Sequence, residues 1–183
     1  RRVGCRVKYA EAIIMSYDLP QRPRRNRQSA AVRGLVRETH LTPSHLIYPL
    51  FVLDGECRRE PIESMPGIDR VTEDHALREI ESAMELGVSS FVLFPAVNDD
   101  LKDTKATYGL SRDNFYCRVA RAIKKRFPEA WLMSDVAMDP YSSDGHDGVV
   151  REGHIVNDVT LPILAEMAVL QAEAGFDSIG PSD

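Results

Sequence analysis

Four short apolar runs recur along the chain at a nearly constant distance, and this spacing constrains the fold more than any other feature. The runs begin near residues 46, 89, 130 and 176, so the repeat is roughly 40 to 45 residues. Each run is rich in β-branched or aromatic residues, which is typical of a buried strand. One strand, one helix and two connections fill this length. The spacing therefore predicts successive βα units around a parallel sheet.

Segments between the runs have helical periodicity. Three helices are predicted, within residues 72–87, 113–127 and 158–174. Thr72 suits the N-cap of the first helix, and glycines end the first and the third. The buried face of each helix is predicted from its apolar stripe: Leu77, Ile80 and Met84; Phe115, Val119 and Ile123; and Ile163, Leu164, Met167 and Leu170.

Two architectures accommodate four βα units: an open doubly wound sheet, or half of a (β/α)8 barrel. The repeating part spans about 140 residues, whereas a full barrel needs about 250. The chain stops at Asp183 directly after a strand, so we expect a truncation inside a larger fold. In either architecture, functional residues are expected beyond the C-terminal ends of the strands.

Composition excludes several classes of protein. A net charge of −5 argues against a general nucleic-acid binder. The basic run RPRRNR at 22–27 is interpreted as a solvated arm or a subunit contact. Three cysteines far apart in the sequence predict a reducing compartment rather than a disulfide framework. No apolar run approaches the ~18 residues that a membrane helix needs.

The stretch DVAMDPYSSDGHDG, residues 135–148, begins near the end of the third predicted strand, residues 130–138, and contains four aspartates. Carboxylates held close together raise each other's pKa or bind a cation. Oxygen ligands suit Mg²⁺ or a monovalent ion better than a soft metal. Asp139, Asp144 and Asp147 equally suit turns and caps, and His146 suits a loop hydrogen bond. Spacing alone leaves the two interpretations open.

Lys102 and Lys105, in the segment after the second strand, are candidates for a Schiff-base amine. Such a lysine needs burial or a neighbouring cation to lower its pKa. The surrounding residues are acidic and polar, so both lysines are predicted to lie in a solvated loop. The chain has no glycine-rich nucleotide motif, nucleophile elbow or HExxH sequence.

Six segments, in order, resemble porphobilinogen synthase, also called 5-aminolevulinate dehydratase: RPRRNR, LIYPLFVLDG, SMPGIDR, FVLFP, SDVAMDPYSSDGHDG and the terminal PSD. The resemblance is closest to the plant, algal and bacterial form. It implies that residues 46–183 are the first half of a (β/α)8 TIM barrel, truncated after strand 4. Residues 1–45 would be an N-terminal arm that makes subunit contacts in a homo-octamer.

The resemblance also implies an activity, a lyase reaction. Two molecules of 5-aminolevulinate condense to porphobilinogen with loss of water, in haem and chlorophyll biosynthesis. The family's Schiff-base lysines lie on later strands, so this chain alone is expected to be inactive. Asp135, Ser182 and Asp183 match residues that line the pocket.

Metal use is implied by the same resemblance. Ala137, Asp139 and Asp147 occupy positions where a zinc-dependent branch has cysteines. Carboxylates favour hard cations, so the expected metal residues are Asp139 and Asp147. The expected ion is Mg²⁺, K⁺ or Na⁺, with no zinc at the active site. The segment REGHIVND at 151–158 departs from the family pattern by being one residue shorter.

The remaining expectations concern location and partners. No nucleic acid or membrane partner is expected, and the compartment would be the cytoplasm of a bacterium or the plastid stroma of an alga or plant. The alternative hypothesis is a non-catalytic α/β module that binds a hard cation or a small acid. That module would leave a parallel edge strand exposed, which invites aggregation.

Overall fold

The computed structural model describes residues 20–182, and the chain divides into two compact units between His40 and Leu41. In the first unit, the basic run lies in a 3-10 helix, Pro23–Arg27, with its side chains exposed. One short α-helix, α1 (Ala30–Leu35), follows. The Ser29 hydroxyl caps α1 by accepting a hydrogen bond from the N–H of Val32.

The second unit contains the predicted βα repeat. Its strands are β1 (Ile47–Leu53), β2 (Arg59–Pro61), β3 (Asp69–Val71), β4 (Ser90–Ala96), β5 (Trp131–Val136), β6 (Val150–Arg151), β7 (His154–Ile155) and β8 (Ser178–Pro181). Its helices are α2 (Glu73–Glu85), α3 (Phe115–Arg126) and α4 (Asn157–Ala174). Strands β1, β4, β5 and β8 are parallel and adjacent in that order. The four predicted strands and three predicted helices are therefore confirmed.

All three helices cover one face of this sheet. Alternate strand residues point toward them and are buried: Leu50, Val52, Phe91, Leu93, Leu132 and Val136. The predicted helical stripes pack here, with Ile80, Ile123 and Met167 fully buried. A doubly wound sheet has helices on both faces, whereas a barrel has them on one. The arrangement is that of a barrel segment, which selects between the two predicted architectures.

A short hairpin, β2–β3, extends the sheet beyond β1 and was not predicted. Strand β3 pairs in parallel with the end of β1, through Phe51 and Arg70, and β2 pairs antiparallel with β3. Strands of three residues in a charged segment are too short to show periodicity. The pairing depends on the edge of β1, which the local sequence does not reveal.

Local chemistry sets the ends of several elements. Thr72 is the N-cap of α2, but its hydroxyl donates to Asp74 Oδ1 at 2.6 Å and accepts no helix N–H. Gly175 ends α4 with a left-handed φ of 104°, a conformation that favours glycine. In the shortened segment, β6 and β7 form a hairpin around Glu152 and Gly153, both with positive φ. This is the backbone of a tight hairpin turn.

Candidate active site

A cavity of about 590 Å³ opens at the C-terminal ends of the parallel strands. Strands β1, β4 and β5, the β2–β3 hairpin and two loops line it. On β1 and β4, Phe51 and Phe94 are register partners whose rings stack with centroids 5.3 Å apart. These rings form an apolar wall. The polar residues of the cavity come from the strand ends and from the loops.

Asp135 is the central carboxylate of this cavity. It lies near the end of β5 on the face opposite the helices, and it is half-buried. Ser182, just after β8, donates a hydrogen bond from its hydroxyl to Asp135 Oδ1 at 2.7 Å. Burial raises the pKa of the Asp135 carboxyl, and the bond from Ser182 lowers it only in part. A carboxyl with a raised pKa in a cleft can exchange protons with a ligand.

Asp139 lies on the cavity wall just beyond β5 and is more exposed than Asp135. The surrounding protein removes part of its hydration and raises the pKa of the carboxyl. The charges of Asp147 and Asp135 raise it further, and the charge of Lys102 lowers it. The charge of Asp135 thus acts on Asp139, in addition to burial and the charge of Asp147.

The remaining predicted residues have different positions. Asp147 is exposed in the loop, close enough to affect Asp139 but not lining the cavity. Asp144 and His146 are exposed in the same loop, and Ala137 is buried. The prediction for Asp183 lies outside the described residues.

The loops after β4 and β5 are joined to each other. Asp103 donates its N–H to Tyr141 O at 3.2 Å and accepts the N–H of Ser143 at 3.1 Å. Its carboxylate also accepts the N–H groups of Lys105 and Thr107. Asp103 thus accepts turn hydrogen bonds of the kind that were considered for the aspartates of 135–148.

Lys102 lies in a loop, as predicted, but it also lines the cavity, which the sequence did not indicate. Its side chain is only 25 % exposed and its ammonium pairs with Asp99 at 2.8 Å. Lys105 is exposed, as predicted. The two lysines differ because Lys102 pairs with Asp99 and lines the cavity, whereas Lys105 does not line it. The acidic composition of the segment carries no signal for that.

Sequence reasoning also missed the hairpin residues of the cavity. Arg58, Glu60 and Arg70 line it from the side of β1, and Arg58 pairs with Glu60 at 3.6 Å. A signal was present, since Arg70 belongs to the SMPGIDR segment quoted for the family resemblance. A second groove, of about 630 Å³, lies at the N-terminal end of β1 against α2. It is at the wrong end of the strands for barrel chemistry.

The donor atoms present restrict the kind of metal site. Within residues 20–182, no three His, Cys, Asp or Glu side chains come together as a metal site. The oxygen donors of Asp139 and Asp147 fit Mg²⁺, which keeps several waters and takes one or two carboxylates. They do not form a three-ligand zinc site. The helices of the described part are each too short or too polar to cross a membrane.

Comparison with known proteins gives consistent results. The sequence pattern of the family described as delta-aminolevulinic acid dehydratase matches residues 20–183. The dehydratase of Bradyrhizobium diazoefficiens is 48 % identical over 166 residues, which cover 91 % of this chain and 47 % of the relative. The dehydratase of Chlamydia pneumoniae is 44 % identical, with 93 % and 51 % covered. The chloroplastic dehydratase of Selaginella martensii is 47 % identical, with 93 % and 41 % covered.

A solved structure also matches. It is the crystal structure of delta-aminolevulinic acid dehydratase (porphobilinogen synthase) from Toxoplasma gondii ME49 in complex with the reaction product porphobilinogen. The TM-score is 0.85 at 48 % identity, covering 91 % of this chain and 47 % of the other. The chain thus spans about half the length of the relatives it matches.

Proposed function

The chain belongs to the delta-aminolevulinic acid dehydratase family, and from this premise we propose that the full-length protein condenses two molecules of 5-aminolevulinate to porphobilinogen with loss of water. The observation that carries the proposal is the cavity at the strand ends, where Asp135 and Asp139 meet an apolar wall. This reaction is a lyase step that supplies tetrapyrrole biosynthesis. The family match favours an enzyme over a non-catalytic α/β module.

Asp135 and Asp139 orient the amino group of a substrate in this proposal. Burial raises the pKa of Asp139, and the charges of Asp147 and Asp135 raise it further. A substrate ammonium placed between Asp135 and Asp139 would offset the repulsion between their charges. Ser182 fixes the direction of the Asp135 carboxyl through its 2.7 Å hydrogen bond. The stacked Phe51 and Phe94 rings exclude water from one side. The apolar carbon chain of the substrate would lie against them.

The Schiff-base amines are assigned to later segments of the full-length protein. Lys102 is the one lysine of the described chain that lines the cavity. Its side chain forms an ion pair with Asp99 at 2.8 Å. The role of Lys102 is therefore electrostatic, and residues 1–183 alone are expected to be inactive.

Turnover of 5-aminolevulinate tests the activity. The full-length protein and residues 1–183 are each incubated with the substrate, and porphobilinogen is quantified by mass spectrometry. We expect product from the full-length protein and none from the 183-residue chain. An inactive full-length protein would overturn the proposed function. Enzyme-like turnover by residues 1–183 would overturn the assignment of the amines to later segments.

Metal use is the second part of the proposal. Proteins of this family are metal-dependent in general. Asp139 and Asp147 would hold Mg²⁺ or a monovalent cation, because they offer only hard oxygen donors. When bound, such an ion supplies positive charge that stabilises the carboxylates and anionic groups of the substrate.

Exchanging the donors tests the metal assignment. In the full-length protein, the triple substitution A137C/D139C/D147C should create zinc affinity, measured by equilibrium titration with a metal indicator. The wild-type protein should keep its activity in a zinc-selective chelator and respond to Mg²⁺ or K⁺. Loss of wild-type activity with the chelator would contradict the assignment of Asp139 and Asp147 to a hard cation.

Assembly and location complete the proposal. Residues 1–45 would make subunit contacts in a homo-octamer, supported by the exposure of the described part of this arm. Deleting residues 1–40 should then give an assembly of fewer than eight subunits, as calculated from the molar mass measured by light scattering. The relatives include bacterial and chloroplastic proteins, which supports either the cytoplasm or the plastid stroma as the compartment.

A further inference from the structure

A tyrosine hydroxyl occupies the gap where two strands separate next to the cavity. The ladder between β4 and β5 ends at the pair Val92 and Met133. Beyond it, the Tyr116 hydroxyl donates to Leu93 O at 2.8 Å and accepts the N–H of Asp135 at 3.0 Å. The hydroxyl therefore replaces a bond that the two strands would otherwise make with each other.

A second buried side chain contacts the same residue from another helix. Gln171 of α4 donates from Nε2 to Asp135 O at 3.1 Å. Tyr116 of α3 is fully buried and Gln171 is 2 % exposed. The two helices thus contact both polar groups of the Asp135 main chain, while Ser182 contacts its carboxylate. Three separate elements meet on one residue.

The side chains of Tyr116 and Gln171 place polar atoms in the buried core, where they need hydrogen-bond partners. A buried polar group lowers stability unless it is hydrogen-bonded, and phenylalanine or methionine would fill the same positions with no polar atom. Burial also raises the pKa of Tyr116 well above its ordinary value. The phenol therefore stays neutral, which lets it donate to Leu93 and accept from Asp135 at the same time.

We propose that Tyr116 and Gln171 are positioning residues, which set the place and direction of the Asp135 carboxylate at the opening between β4 and β5. This inference rests on the proposed function, in which Asp135 orients the substrate. A displacement of about 1 Å in an orienting group can cost about 100-fold in rate. Strands that separate would allow such a displacement if nothing bridged them.

The chain offers a matched control for the tyrosine. Tyr141 is also buried, at 1 % exposure, but its hydroxyl has no hydrogen-bond partner within the described residues. Tyr141→Phe therefore removes a buried phenolic hydroxyl without removing a hydrogen bond to Asp135. Gln171→Met removes the hydrogen bond to Asp135 O. It also removes Gln171 Oε1, a buried atom that has no hydrogen-bond partner among the described residues. Its effect on stability should be small.

The test uses full-length protein carrying Y116F, Q171M or Y141F. Hydrogen exchange at the Asp135 amide should be about tenfold faster in Y116F, because its acceptor is lost. Y116F should lower kcat about tenfold with KM within about twofold of wild type, since orientation rather than binding is lost. Q171M should lower kcat by about threefold, and Y141F should match wild type in exchange and kcat.

The outcomes separate this inference from the proposed function. If Y116F and Q171M lower kcat no more than Y141F does, the positioning role is overturned. If Y116F does not fold, Q171M decides alone. If wild-type protein makes no porphobilinogen, the proposed function fails, and amide exchange then decides: wild-type exchange at Asp135 in Y116F overturns the positioning role, and faster exchange supports it.

Discussion

Asp135 and Asp177 lie at opposite ends of the same pair of strands, β5 and β8, and the groups that contact their carboxylates differ in charge. Asp177, just before β8, accepts the N–H of Leu132 at 2.9 Å and pairs with the Lys124 ammonium at 3.0 Å. Asp135, near the end of β5, receives one neutral hydroxyl, that of Ser182. Both carboxyls are partly removed from water, but only Asp177 has a cation.

The pKa values of the two carboxyls shift in opposite directions as a result. Burial acts to raise the pKa of Asp177, but the Leu132 N–H and the Lys124 ammonium outweigh it, and the pKa falls below its ordinary value. At Asp135, burial wins and the pKa rises. One end of the strand pair is arranged for stability, and the other keeps an incompletely compensated carboxyl. This division is the one expected of a barrel.

The largest expected effect is that of D135N in the full-length protein. Loss of the carboxylate should lower kcat for porphobilinogen formation by about 100-fold or more. The unfolding free energy at pH 7 should not fall, because the amide removes a buried charge and can still accept from Ser182. Urea denaturation and steady-state kinetics measure the two quantities. A variant that is destabilised but fully active would reverse the comparison.

D177A should show the opposite pattern. It removes the acceptor of Leu132 and the partner of Lys124, so the free energy of unfolding should fall by about 2 kcal/mol. The kcat of the folded fraction should stay within about twofold of wild type, since Asp177 is remote from the cavity. Urea denaturation of D177A, K124M and the double variant measures the coupling. Additive effects of the two single changes would contradict the pairing.

Acid should remove the stabilising effect of Asp177 and reveal the difference between the ends. The folded pKa of Asp177 is depressed, so its contribution is present above the unfolded value of about 3.9 and is lost as pH falls through the folded pKa. The raised pKa of Asp135 acts in reverse: protonation favours the fold, and this contribution is lost as pH rises through the raised value.

Urea denaturation between pH 7 and pH 2 checks these signs. The stability difference between wild type and D177N should shrink as the pH falls below about 4. The difference between wild type and D135N should instead move in favour of wild type over the pH range in which Asp135 takes up its proton. Parallel curves for D177N and wild type at all pH values would exclude a depressed pKa at Asp177.

The smallest expected effect is that of K102M. Lys102 lowers the pKa of Asp139, so removing its charge should raise that pKa. The acidic limb of the pH–kcat profile should then move to higher pH, with a change in kcat at pH 7 of about threefold or less. Lys105→Met is the control, because Lys105 is exposed in the same loop. Equal pH–kcat profiles for the two variants would contradict an electrostatic role of Lys102 in the site.

Much of the fold could be predicted because it depends on local periodicity. The spacing of apolar runs predicted β1, β4, β5 and β8, and the stripes predicted the buried faces of α2, α3 and α4. The motif 135–148 was correctly placed at the C-terminal end of a strand, with Asp135 still within it. The β2–β3 hairpin could not be predicted, because its three-residue strands depend on the edge of β1. The place of Lys102 in the cavity was missed because the cavity is formed by strands and loops distant in sequence.

The sequence by itself determined the order of the βα units and the end of the sheet at which the aspartates collect. These follow from side-chain periods of about 2 and 3.6, which neighbouring residues set. Only the tertiary structure decided that all three helices cover one face and that Tyr116 and Gln171 contact Asp135. Those contacts join residues 19 and 36 positions apart. In the sequence, Tyr116 reads as one more apolar residue of a helix, and its hydroxyl acquires a role only where β4 and β5 separate.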